Sequence, residues 1–263
     1  MQRLDRFAAH HPVAFGVVAT LGFLLVVVAA GVVAFPVQGD AARALVSGTV
    51  MLVGVGGLLL LMRGLAWLGP AGVSRVGDRS GWARLAWVLV YLPVVTLAAF
   101  LPDTDRALPH SDVALALAFE TLVSGGLLQE LTFRALVLYA LLRAWRHSPR
   151  GALCALLVSS VLFSAAHVVN LASGAGAATV GLQLLDTVLA GLYLGFFVVH
   201  TGSVWPAVLV HGLGNAAVTV MAAGTPGFVE TPRAWLTLLV LKVPVYLYVI
   251  HLARRPASVV VGP

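Results

Sequence analysis

One glutamate, two histidines and two asparagines stand in stretches of this chain that are otherwise almost wholly apolar. The segment Leu128-Gln129-Glu130-Leu131-Thr132-Phe133-Arg134 sets Glu130 and Arg134 four residues apart. At helical spacing they share a face, with the acid on the N-terminal side, the favourable order for a pair. Farther on, Phe163 precedes His167 by four residues and Asn170 follows it, and His211 precedes Asn215 by four. A carboxylate and an imidazole that share a water can remove its proton. A second imidazole and a carboxamide can then donate hydrogen bonds to the oxyanion formed when that water attacks an amide. That is peptide hydrolysis without a covalent intermediate.

The elements that must position these groups are membrane spans. Eight mainly apolar stretches run over 13–35, 44–62, 85–101, 113–142, 151–172, 177–199, 203–223 and 234–253, and about 20 helical residues cross the hydrocarbon layer. A charge near the bilayer centre costs roughly 2.5–3.5 kcal/mol on insertion scales, so polar residues inside spans call for a reason. Counting about 1.5 Å per residue from the cytoplasmic ends puts Glu130 about 18 Å deep, His167 about 20–24 Å, His211 about 12 Å and Asn215 about 18 Å. The fourth, fifth and seventh spans therefore present polar groups at overlapping depths.

Composition supports this reading. Of 263 residues 60% are apolar and 10% charged, against about 25% charged in soluble domains, which excludes a soluble enzyme. The expected fold is an all-α polytopic bundle of eight spans, a single membrane domain over 1–263. With both termini cytoplasmic, eleven arginines fall on inner segments (Arg3, Arg6, Arg63, Arg75, Arg79, Arg84, Arg143, Arg146, Arg150, Arg254, Arg255) and three outside (Arg43, Arg106, Arg233), as the positive-inside rule requires. Asp103, Asp105 and Asp112 then form an outer acidic loop. The net charge of +6 thus reads as a topology signal, and no nucleic-acid partner is expected. Cys154, the one cysteine, reads as a small buried residue. Trp67, Trp82, Trp145, Trp205 and Trp235 read as anchors at the membrane interface.

Two histidines and a glutamate could instead hold zinc with an open position for water. The chain lacks HExxH, however, and its candidate ligands come from three different spans, so no cofactor is expected. No GxSxG-type nucleophile faces a histidine, and Ser159 and Ser160 read as helix-packing residues. Glu120, Asp186 and Lys242 also lie within spans. Lys242 is expected to pair with one of these acids, and Pro244 to kink the last span beside it.

Across residues 113–220 the chain resembles the CPBP family of intramembrane glutamic endopeptidases, which includes CAAX-processing proteases and bacteriocin-processing or immunity-associated relatives. The family's EExxxR corresponds to Gln129-Glu130 through Arg134, its FxxxH to Phe163 through His167, and its HxxxN to His211 through Asn215. The resemblance implies that a glutamate and His167 activate water while His211 and Asn215 form the oxyanion hole, with Gln129, Arg134 and Phe163 in support. One position departs from the pattern. The family's usual base is the first glutamate of EExxxR, and here it is Gln129, whose amide accepts no proton at neutral pH.

The expected function is an intramembrane endopeptidase of the plasma membrane, multi-pass, acting on a membrane-associated peptide or protein. Two alternatives remain: an impaired relative serving as an immunity or scaffold protein, and a transporter that uses the intramembrane polar groups as a relay. A transporter requires access from both faces, whereas a peptidase is expected to have its cavity closed on the outer side.

Overall fold

The computed structural model describes residues 1–100, 111–172, 174–223 and 230–254. Asp103, Asp105, Arg106 and Arg255 of the charge pattern lie outside them. Among the described residues every element is helical: α1 (Gln2–His10), α2 (Pro12–Ala34), α3 (Asp40–Gly64), α4 (Arg79–Phe100), α5 (Ser111–Trp145), α6 (Gly151–Leu171), α7 (Ala177–Thr201), α8 (Trp205–Ala223), α9 (Pro232–Leu241) and α10 (Val243–Ala253). Helix α1 is short. The remaining helices make the eight expected spans, with α9 and α10 together forming the last, Pro232–Ala253.

Local chemistry sets the breaks. Pro12 opens α2, where its missing N–H costs nothing. Thr231 caps α9 by accepting from the Ala234 N–H at 3.2 Å, again with proline next in line. Gly202, at φ 70°, turns α7 into α8. The connection between α3 and α4 folds back onto this turn. Val204 donates to the Gly72 carbonyl at 3.1 Å and the Asp78 N–H to Thr201 at 2.8 Å, while Ser203 Oγ donates to the Arg75 carbonyl at 2.9 Å. Gly72, at φ +78°, is required here, because a Cβ would sit 2.8 Å from the Gly202 carbonyl oxygen.

At the same end, Asp5 of α1 receives two hydrogen bonds from Arg143 of α5 and one at 3.2 Å from Trp67 Nε1. The Arg143 hydrogen bonds hold the Asp5 carboxyl below its ordinary range. Its pKa is therefore lower in the folded than in the unfolded chain. The clip contributes fully above the ordinary carboxylate range and is lost as pH falls through the folded value. Thermal unfolding is expected to show wild type above Asp5→Asn at pH 7, with the gap closing on acidification.

Two expectations are corrected. Trp67 and Trp235 are buried, and Trp67, Trp82, Trp205 and Trp235 each spend the indole N–H on the protein, through Asp5, Val76, Val73 and Glu230 respectively. They tie connections down as much as they anchor an interface. Cys154 is exposed, because its position near the start of α6 faces outward from the bundle.

Candidate active site

Helix α5 carries the acid on an unusual backbone. Residues Leu122–Leu128 and Leu131–Leu138 are π-helical, a widened form frequent at functional sites. Glu130 sits between the two stretches, wholly buried. Its Oε2 lies 3.2 Å from Arg134 Nε, so the ion pair expected from spacing is present. Its alignment falls short of a hydrogen bond: Glu130 Oε2 and all three Arg134 nitrogens have no hydrogen-bond partner. The guanidinium lies over the Phe163 ring, 4.3 Å from its centroid, a contact that offsets part of the cost of burying the cation.

The other carboxylate oxygen of Glu130 meets His211 Nδ1 at 2.7 Å. A carboxylate only accepts, so Nδ1 carries the proton and Nε2 is the free ring nitrogen. His167 is fixed by the same logic: its Nδ1 donates to the Phe163 carbonyl at 2.9 Å, leaving Nε2 with a lone pair. Phe163 packs edge-on against both imidazoles, with centroids 4.9 Å from His167 and 5.7 Å from His211. One ring therefore orients both histidines and covers the arginine.

Backbone contact brings α8 to α5. A Cβ on Gly212 would lie 3.1 Å from Gly126 Cα, and one on Gly126 3.2 Å from Gly212 Cα, so the two helices touch through glycines. Beside that contact a Cβ on Gly125 would lie 2.9 Å from Asn215 Nδ2. Gly125→Ala is thus expected to push the carboxamide aside and lower kcat about tenfold, within the range for a weakened oxyanion donor, while the thermal unfolding midpoint changes little. Steady-state cleavage kinetics check the first outcome and a thermal melt the second. On the far side, Ser159 Oγ donates to the Phe133 carbonyl and Ser164 Oγ to Leu184, both at 2.8 Å, joining α6 to α5 and α7. Ser159 has the packing role expected of it. Asn170 is structural as well, donating to Gln183 Oε1 at 2.8 Å.

His167, His211 and Asn215 line one cavity of about 220 Å³, together with Tyr193, Asp186 and Lys242. Glu130, Arg134 and Gln129 do not line it. Glu130 meets the cavity through His211, to which it is hydrogen-bonded. Gln129 is half-buried, and its Oε1 has no hydrogen-bond partner. No group of three His, Cys, Asp or Glu side chains is arranged to hold a metal among the described residues, so the zinc set weighed from sequence is not gathered there. Lys242 does pair with an acid, Asp186, and Glu120 instead accepts from Ser47. The sequence left Asp186 and Lys242 outside the site, and Tyr193 stood out only as part of the Gly191-Leu192-Tyr193 stretch that resembles the family's approach to His211.

The cavity extends to Phe100, Thr219, Glu230 and Trp235, at the end of the bundle opposite the termini. None of its lining comes from the 65–78 connection or the 202–204 turn.

These spans also match a known family. The family model described as type II CAAX prenyl endopeptidase Rce1-like covers residues 111–217, from the start of α5 to just past Asn215. Over that segment, spans four to seven, the chain is similar to the CAAX-processing branch of the CPBP family. No curated protein and no solved structure matches the chain. Every CPBP motif position falls within the matched segment: Gln129 to Arg134, Phe163 to His167 and His211 to Asn215. The cavity wall formed by Lys242 lies beyond it.

Proposed function

We propose that this chain acts as a CPBP member and hydrolyses a peptide bond of a membrane-associated protein or peptide with an end of the CAAX type, using water activated by His167. The observation that carries the reading is the pair of imidazoles on one cavity, each with Nδ1 engaged and Nε2 free. His167 Nε2 takes the proton as the water oxygen bonds to the scissile carbonyl carbon. His211, carrying a second proton opposite the Glu130 carboxylate, donates from Nε2 to the developing oxyanion, and Asn215 Nδ2 donates beside it. The tetrahedral adduct then collapses, the C–N bond breaks, and the leaving amine takes the proton from His167. Glu130 acts by holding His211. No resident metal is required on this route, and the proposed setting is the plasma membrane.

The family match over 111–217 supports a peptidase over a transporter, which needs access from both faces. Gln129 favours a second reading, an impaired member, because the family's usual base is missing. Purified protein offered a CAAX-ended membrane peptide separates the two. On the first reading wild type cleaves, and Gln129→Glu alters kcat by less than about tenfold, since His167 already supplies a base. Wild type that is silent until Gln129→Glu restores cleavage is the result expected of the second. Cleavage lost on chelation would return the mechanism to metal.

A further inference from the structure

Helix α1 lies across the ends of three spans. Its N-cap, Met1, reaches the end of α3, where a Cβ on Gly64 would lie 2.9 Å from Met1 Cε. Its middle is tied to the end of α5 by the Asp5–Arg143 pair, and one residue, His11, separates it from Pro12 at the start of α2. Packed helices stand about 8–10 Å apart, and a helix of this length covers about 13 Å. To touch three span ends in that distance, α1 must run along the membrane surface instead of prolonging α2 into water.

The helix has two unlike faces. Leu4 packs on the core, Ala8 is buried, and both Asp5 oxygens accept from Arg143. On the other side Arg3, Arg6, Phe7 and His10 recur at spacings of three and four, and all are exposed. With His11 they line one shallow depression. Asp5 is the only acid of the helix, and among the described residues neither arginine belongs to an ion pair. The face is ordered nonetheless. His10 Nδ1 donates to the Arg6 carbonyl at 2.8 Å, and the Phe7 and His11 ring centroids stand 5.7 Å apart.

We propose that this face of α1 binds anionic phospholipid headgroups of the leaflet that α2 enters. Water suits the two arginines but not the phenyl ring between them, and hydrocarbon suits the ring alone. The headgroup layer takes both, with Phe7 toward the acyl chains and the guanidiniums on lipid phosphate. Depth selects the same partner, because the face ends one residue before a span begins. The Asp5 clip holds the helix against the bundle, so the cationic face is formed before any lipid arrives. This binding is independent of the hydrolytic reading.

Full-length protein in a neutral detergent, titrated with dioleoylphosphatidylglycerol or dioleoylphosphatidylcholine, tests the assignment through its thermal unfolding midpoint. The anionic lipid is expected to raise the midpoint by about 3–6 °C, and the zwitterionic lipid to leave it nearly unchanged. In Arg3→Gln/Arg6→Gln the half-saturating concentration of phosphatidylglycerol should rise about tenfold or more, as expected for two arginines at a charged surface. Arg146→Gln/Arg150→Gln removes the same charge from the turn after α5 and should stay within about twofold of wild type. All four arginines are exposed, so both variants keep the fold. Equal shifts with the two lipids, an equal shift with inorganic phosphate, an α1 variant that titrates as wild type does, or equal weakening by the two double variants overturns the assignment.

Discussion

His167→Ala is expected to lower kcat by about 10²–10⁴, the range for removing a positioned general base, with KM and thermal stability little changed. The side chain is held by one hydrogen bond from its own Nδ1 to the backbone at Phe163 and by the edge of the Phe163 ring. Losing it leaves no buried charge unpaired, and the carbonyl left behind, at 163 on α6, is a helix acceptor. The effect should therefore fall on the chemical step. Initial-rate kinetics on a cleavable peptide, with a melt of the same preparation, separate this from misfolding. A rate loss accompanied by an equal loss of folded protein would show His167 to be a packing residue.

The second large effect is on stability as well as rate. Glu130→Gln keeps the shape of the side chain and removes its charge, leaving Arg134 wholly buried with no anion beside it. Breaking one half of a buried pair costs about 3–5 kcal/mol. His211 also loses the carboxylate at 2.7 Å that fixes its ring and balances its second proton, so cleavage is expected to fall about 10²–10³-fold. The double variant Glu130→Gln/Arg134→Met removes the stranded cation and should recover most of the stability while remaining inactive. Recovery of both would place Glu130 in the scaffold alone.

The spans were legible because hydrocarbon thickness imposes length and apolarity on any crossing helix. Thus 13–35 and 177–199 became Pro12–Ala34 and Ala177–Thr201. The Glu130–Arg134 pair was legible because it is local. Its π-helical backbone was not, since nothing in LVSGGLL or LTFRALVL distinguishes i+5 from i+4 hydrogen bonding. Long-range choices were hidden for a different reason. Which histidine takes Glu130 depends on how closely α8 approaches α5, and that is set by Gly126 against Gly212, two among 27 glycines in the chain. Lys242 was expected to find an acid, but choosing Asp186, 56 positions away, over Glu120 required knowing that the broken end of α9 faces α7. Exposed Cys154 and buried Trp67 show the limit of residue-type averages: a bilayer makes the outside of the bundle apolar, so apolar character does not say which face is buried.

The central claim, water activation at His167 for peptide-bond hydrolysis, is tested most directly by cleaving a CAAX-ended peptide in ¹⁸O-labelled water with wild type and His167→Ala and weighing the new C-terminus by mass spectrometry. The account predicts one ¹⁸O in the product carboxylate after a single turnover, formed about 10²–10⁴ times more slowly by His167→Ala. Labelled product formed as fast by His167→Ala as by wild type would contradict it.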